Sequence, residues 1–438
     1  MADTTTELEV LDDIVDVLGG TSGQYETVVP VLQQIKELLG GITDMRAELD
    51  AVADFVRGKA LDVSSWSESA ALASSGKAIK SMLVNSQLID DLNDTHASPA
   101  TTYEMPWDIA DFQTGTLEDE STLDVMVLQA HFCLPFATQF DAYEAFYAVP
   151  AGGLAAGTYH VTFGVAYRDI PEGASYQFTL ANDYAEGAQL CFSESIHSKV
   201  PSAMSVDAYA TAGATERAER VSVSVGTGGT SLGTITGAQV QDGDQLNSVQ
   251  RIALGSGRWL DSNLRQFLNA TATSGWFVPK TKWDRPPSYV SYPGFLSMLP
   301  AELVAVMRPI RQVTATSYYA DGGSASSVET DVTYDKVFLP SWEQHNITPS
   351  ASYGGAAGVE GAAWGKWSSV VSSVPSSGST VPEYIQRDLA AHTARNVWMR
   401  SCTRAYGGCV ACVFSAGSCA YVGAYGGGLF AAPACAIG

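Results

Sequence analysis

The side chains best suited to chemistry in this 438-residue chain are crowded at its end. Five of the seven cysteines fall within residues 401–438, which read SCTRAYGGCVACVFSAGSCAYVGAYGGGLFAAPACAIG. Cys409 and Cys412 stand in a Cys-Val-Ala-Cys spacing, and Cys419 and Cys435 would complete the ligand count of a tetrahedral zinc site. No histidine lies near them, and Gly and Ala occupy the positions from which supporting hydrogen bonds would have to come. The expectation is therefore no metal and no cofactor, with the thiols packing as small apolar groups. His96, His131, His160, His197, His345 and His392 are scattered along the chain, none in a His-Glu-x-x-His pattern, and no Gly-x-Ser-x-Gly elbow occurs. The acidic clusters Asp12-Asp13 and Glu118-Asp119-Glu120 read as solvated charge rather than as the paired carboxylates of a glycan hydrolase. No enzyme is expected.

What the segment does offer is contact surface. It carries one charged side chain, Arg404, and contains no Lys, Glu, Gln, Met, Trp, Asp, Asn or His. Tyr406, Phe414, Tyr421, Tyr425 and Phe430 are large, rigid anchors among small adaptable residues, the composition of binding loops. With Arg404, Cys409, Val410, Ser415, Ser418 and Leu429 they make up the candidate ligand-binding residues, and low charge keeps desolvation on docking cheap. Lys, Glu, Gln, Met and Trp are also the five residues that a codon with two randomised bases and a pyrimidine third base cannot encode. In average composition they make up about a fifth of residues, so their joint absence here is on the order of a one-in-a-thousand event. Two plainer alternatives stand beside this: a glycine-rich structural tail, and aromatic rings that pack a core.

Three kinds of pattern precede the segment. In residues 1–98 the pattern is helical. Val28, Ile35, Ile42, Leu49 and Val56 recur every seven residues, with Val31, Leu38, Met45 and Val52 three positions later, which predicts a coiled-coil seam of two or three strands or an antiparallel helix pair. A shorter acidic helix is expected over residues 7–18. Residues 99–244 turn to period two, with Tyr159, Val161, Phe163 and Val165 on one face, then Tyr176, Phe178 and Leu180, then Val221, Val223 and Val225. Turn clusters divide them, which predicts a β-sandwich or jelly roll. The Gly-rich stretch 226–237 reads as a hairpin turn. In residues 245–438, Ser262 is the expected N-cap of a helix burying Leu264, Phe267 and Leu268. A second helix is expected over 293–307, with Phe295, Leu296, Leu299, Leu303 and Met307 inward. Residues 348–380 read as a long loop.

The net charge of −23 disfavours nucleic acid as a partner. The first residues carry no basic stretch followed by an apolar run, and no apolar stretch is long enough to span a bilayer, so folding in a cytoplasm and no membrane insertion are expected.

Several stretches recur in order after residue 245: Asn247-Ser-Val-Gln-Arg251, Arg258-Trp-Leu260 with Ser262, Arg265-Gln-Phe-Leu-Asn269, Trp283-Asp-Arg-Pro286, Gly294-Phe-Leu296, Tyr334-Asp-Lys-Val-Phe-Leu-Pro-Ser341 and Trp398-Met-Arg-Ser401. They resemble a family of uncharacterised domains of bacteriophage and prophage proteins. The resemblance implies a C-type-lectin-like or formylglycine-generating-enzyme-like fold. The final segment is similar to the variable region of retroelement-diversified proteins, the family that includes phage tropism determinants. That likeness implies scrambled codons over about 402–432, a constant end strand from Pro433, and a solvent-exposed receptor face, usually on a trimer. Together these imply a multidomain α+β chain: an N-terminal helical coiled coil (1–98), a central β-sandwich (99–244) and a C-terminal C-type-lectin-like α+β domain (245–438). The implied protein is a homotrimeric phage virion receptor-binding protein. Its partners would be a bacterial cell-surface receptor, protein or glycan, and other virion proteins through the N-terminal helices. The alternatives are a virion structural or decoration protein with a buried C-terminus, and a polysaccharide-degrading tailspike.

Overall fold

The backbone is organised by strand pairing rather than by helices. A computed structural model of the chain describes residues 66–74, 83–193, 203–236, 248–317, 329–347, 358–370, 381–403 and 406–438. The largest sheet joins β1 (Gln87–Asp94), β2 (Thr101–Thr116), β3 (Thr122–Ala130), β20 (Ala434–Ile437) and β14 (Val337–Phe338), in that order. All its pairings are antiparallel, and the last strand is inserted between β3 and β14, with Ala436 opposite Val127 and Cys435 opposite both Leu128 and Val337. Every residue of β20 is buried.

Two four-stranded sheets make a sandwich. One has the order β10 (Ser224–Val225), β6 (Ser175–Leu180), β5 (Gly157–Phe163), β11 (Thr230–Ile235). The other has β4 (Tyr147–Ala148), β7 (Gln189–Phe192), β8 (Ser205–Tyr209), β9 (Glu219–Ser222). Period-two alternation drives one face of each inward: Tyr159, Val161, Phe163, Tyr176, Phe178 and Leu180 meet Leu190, Phe192, Val206 and Ala208 in one apolar cluster. Phe146 stacks on Phe192 at 4.4 Å and meets Phe178 edge-on. The expected alternation of Val221, Val223 and Val225 holds for Val223, but Val225 is 70 % exposed on the edge strand β10. The Gly-rich stretch is a crossover, not a hairpin turn. It leaves β10 on one edge and enters β11 on the other, which runs parallel to β5. The chain lies across the sheet here, with Gly228 N–H donating to Gln177 Oε1 at 2.8 Å, and a Cβ on Gly229 would sit 1.9 Å from the carbonyl oxygen of Thr158.

Three small sheets complete the strands: β12 (Ile310–Ala315) with β13 (Thr330–Asp335), β15 (Gln386–Arg387) with β16 (Ala394–Arg395), and β17 (Val397–Thr403), β18 (Tyr406–Val413) and β19 (Cys419–Gly423) in sequence order. The α-helices among the described residues are α1 (Trp66–Ser74), α2 (Val249–Leu254), α3 (Asn263–Leu268) and α4 (Ala301–Val306), none longer than nine residues. None is long and apolar enough to cross a membrane.

The expected multidomain α+β architecture is corrected by this content: the described chain is mostly strand, with short helices. Residues 245–438 hold three small sheets of their own and also share the largest one, where β20 and β14 join β1–β3. All described residues belong to one compact unit, Ala60–Gly438. The predicted seam at 28–56 and the helix at 7–18 lie outside the described residues. Within the stretch expected to be helical to residue 98, Gln87–Asp94 is a strand. Its buried Leu88 and Leu92 stand four apart, a spacing that fits a helix face and a strand face alike.

Elsewhere the inward residues were anticipated more faithfully than the elements. Ser262 caps α3, its Oγ accepting from Arg265 N–H at 3.1 Å, and Leu264, Phe267 and Leu268 are fully buried. The helix expected over 293–307 is a 3-10 turn at Phe295–Met298 followed by α4, split where Leu299 is held extended before Pro300. The stretch read as a loop includes a turn that buries Trp364 and Trp367.

A fragment that begins at residue 240 lacks β3 and leaves one edge of β20 bare. It is expected to aggregate and to lose cooperative thermal unfolding, whereas a fragment beginning at Ala60 retains it. Soluble yield and a melting curve of the two fragments measure this. His345 gives a pH dependence. It is buried beside Trp367 and Tyr384, and burial, with the charge of Lys366 adding to it, holds its pKa well below the ordinary histidine value. The unfolded chain takes up a proton below about pH 6.5 and the folded chain does not. Stability is thus full above that pH and falls as pH drops through it, by up to about 1.4 kcal/mol per pH unit. Urea unfolding at pH 7 and pH 5.5 tests this, and His345→Gln is expected to flatten the difference.

Candidate functional site

The framework of the C-terminal segment is set by the motifs that recur after residue 245, and these bond to one another. Arg258 grips Asp331 with two hydrogen bonds of 2.5 and 2.6 Å. Asp335 accepts from Trp259 Nε1 (2.9 Å), Arg265 Nε (2.7 Å) and Thr333 Oγ1 (2.6 Å). Asn269 bridges to the backbone of Lys336 and Val337. Ser248 caps α2, and Arg251 of that helix pairs with buried Glu144 at 2.6 Å. These groups satisfy each other and fix backbone, which is the work of a scaffold.

β17 carries the pivot. Trp398 donates from Nε1 to the carbonyl oxygen of Thr138 at 2.8 Å. Arg400, fully buried, donates from Nε to Leu339 O (3.2 Å), from Nη1 to Val313 O and to Thr314 Oγ1 (2.7 Å), and from Nη2 to Gln344 Oε1 (3.1 Å). Ser401 Oγ donates to Glu360 and accepts from Trp342 N–H at 3.0 Å. Burial raises the Glu360 pKa, with the charge of Arg400 opposing; burial lowers that of Arg400, with Glu360 opposing.

β18 and β19 hang on this strand, and their side chains divide. Arg404 lies outside the described residues. Tyr406 is 45 % exposed and stacks on half-buried Tyr421, ring centroids 5.6 Å apart. Tyr425, also half-buried, meets Tyr143 edge-on at 6.5 Å, and its backbone is held by Leu254 O and by Gln139 Nε2 at 2.8 Å each. Phe414, Ser415 and Ser418 form the tip of the β18–β19 hairpin, Ser415 exposed and the other two half-buried. Cys409, Val410, Leu429 and Phe430 are buried inside the protomer and present no outer surface. Leu429 and Phe430 are pinned between Thr138 and Asn396 by backbone hydrogen bonds, and the Arg395 guanidinium lies 4.8 Å from the Phe430 ring. A strand of unbroken small and apolar residues such as Cys-Val-Ala-Cys-Val gives no alternation from which inside and outside could be told.

Sequence reasoning missed the neighbours that extend this face. Tyr167 packs half-buried against the same apolar cluster as Tyr421 and Tyr425, and exposed Arg168 lies near enough to Cys409 to favour its thiolate slightly. These residues come from the sandwich, some 240 positions away, so no local pattern could join them to the end of the chain.

All seven cysteines are free and buried. Burial pushes the thiols of Cys409 and Cys419 up to about 12 and those of Cys412 and Cys435 further, so they stay protonated and unreactive at neutral pH. Among the described residues no group of three or more His, Cys, Asp or Glu is placed to hold a metal ion.

Residues 240–438 match the model of a domain of unknown function, DUF6273. No curated protein and no solved structure matches the chain.

Removing the pivot should be costly. Arg400→Met strips four hydrogen bonds and leaves Glu360 buried without its opposing charge, a loss of about 3–5 kcal/mol of stability. Arg400→Lys should recover little of it, since one ammonium cannot span the same acceptors. Equilibrium urea unfolding of the two variants measures both.

Proposed function

We propose that this protein is a receptor-binding protein of a bacteriophage particle, which contacts a bacterial surface ligand through the face bearing Tyr406, Tyr421 and Tyr425. The observation that carries the reading is the Tyr406–Tyr421 stack. Two rigid aromatic side chains stand at least partly in solvent on an edge without charged neighbours from β18 or β19, held by a strand that is itself immobilised. Such anchors lose little entropy on docking and can bury large area, which suits recognition of a protein or a glycan surface. The phage assignment draws on the motif resemblance after residue 245. Several copies of the face on one particle could raise apparent affinity by about 10²–10⁴. The reading is one of binding without turnover.

If the segment is diversified, the fold limits where. A Cβ on Gly408 would lie 2.7 Å from Leu254 Cβ, one on Gly417 would lie 2.2 Å from Val381 O, and Val410 and Cys412 are fully buried. Gly427 and Gly428 meet nothing within 4 Å and sit beside Tyr425. The substitutable set is then Tyr406, Phe414, Ser415, Tyr421, Tyr425, Gly427 and Gly428, rather than the whole of 402–432.

The test is adsorption of labelled protein to a panel of bacterial strains. Tyr406→Ala should weaken binding to a susceptible strain by roughly 10- to 100-fold with an unchanged melting temperature. Tyr421→Ala should weaken it likewise with a lowered one, because that ring packs on the apolar cluster, and exchanging the substitutable set should redirect strain preference. Unaltered adsorption in both alanine variants would overturn the proposal. Protection of Tyr406 inside assembled particles would instead favour a structural contact with a neighbouring subunit.

A further inference from the structure

A second recognition site is built on a different part of the molecule. A cleft of about 430 Å³ opens between the middle of β2 at Asp108, the residues after β3, the Trp364–Trp367 turn and the stretch from Glu383 to Arg387. Its volume lies within the range of small-ligand pockets. Asp108, 5 % exposed, organises one wall. Its carboxylate accepts from Gln87 Nε2 at 2.9 Å, from His131 Nδ1 at 3.0 Å and from Lys366 Nζ at 2.6 Å. Donation from Nδ1 to the carboxylate leaves His131 Nε2, which has no partner among the described residues, on a side chain 43 % exposed. The opposite wall is fixed by the backbone: Cys133 N–H donates to Arg387 O at 2.9 Å and Leu389 N–H to Cys133 O at 3.0 Å. Trp367 forms the base, its Nε1 donating to Gln129 Oε1 at 3.1 Å.

Three features select the ligand. The titratable lining holds two carboxylates, Asp108 and Glu383, against two permanent cations, Lys366 and Arg387, so there is no excess charge to draw an ion. The polar lining mixes donors and acceptors on more than one wall and keeps the aromatic surface of Phe132 half-buried beside them. Gln386, 6 % exposed and part of the lining, has a side-chain oxygen with no hydrogen-bond partner. That oxygen is sealed from solvent, so the group Gln386 offers to the cleft is its amide nitrogen, a donor for a ligand hydroxyl.

We propose that this cleft binds an uncharged saccharide unit through His131, Gln386 and Arg387, at a site separate from the Tyr406 face. A sugar presents hydroxyls able to donate and accept in several directions, and a C–H face that sits against an aromatic ring. The site is independent of the adsorption reading above and is tested without cells. Saturation-transfer NMR of the full chain with methyl glucoside, methyl galactoside and N-acetylglucosamine should detect millimolar binding of at least one. His131→Ala and Gln386→Leu should each weaken it at least about tenfold, and Tyr406→Ala should leave it unchanged. Gln386→Leu removes the unpaired acceptor, so its melting temperature should hold or rise while binding falls, which separates recognition from folding. Transfer to none of the three sugars at millimolar concentration would overturn the proposal. So would binding that survives both cleft substitutions, or that is lost in Tyr406→Ala.

Discussion

A guanidinium with no water around it fixes the strand on which everything C-terminal is hung. The donors of Arg400 reach β12 and, tens of residues further along the chain, the backbone at Leu339 and the side chain of Gln344. Burying a charge costs several kcal/mol unless its hydrogen bonds are made, so the surrounding carbonyls have little freedom to drift. β17 is consequently buried along its whole length. β18 and β19 inherit that position, and the hairpin can offer side chains outward without settling inward.

The motifs that recur after residue 245 are this scaffold. Arg258, Trp259, Arg265, Asn269, Asp331 and Asp335 close on one another around β13 and β14. The charged and aromatic groups bond to one another, and Asn269 ties them to the backbone of Lys336 and Val337. The matched domain of unknown function, 240–438, holds this network whole but borrows β3 from outside to pair its final strand.

Much of the sandwich was legible because period two with aromatic residues specifies an inward face, as with Phe163 and Phe178. The cap at Ser262 was legible because a short polar side chain before an apolar run has few other uses. Three things were not. Leu88 and Leu92 satisfy both regular periods, so β1 passed for a helix. Val225 follows the alternation but lies on an edge with nothing above it. The pairing of β20 with β3 joins residues about 300 apart, and only tertiary contact decides it. At the site, exposure of Tyr406 was readable from residue type, whereas burial of Cys409, Val410, Leu429 and Phe430 was not. The cleft of Asp108, His131 and Lys366 was invisible because each comes from a different segment.

The place of β20 has an effect on biosynthesis. A ribosome releases β1, β2 and β3 long before the residues that must lie against Val127 and Leu128, so the principal sheet stays open until the last of these codons is read. A nonsense or frameshift error anywhere in the three hundred intervening codons leaves β3 without its neighbour. Such products fail to close and are exposed to proteolysis. Any product that stops short of residue 434 lacks the strand that pairs with both β3 and β14.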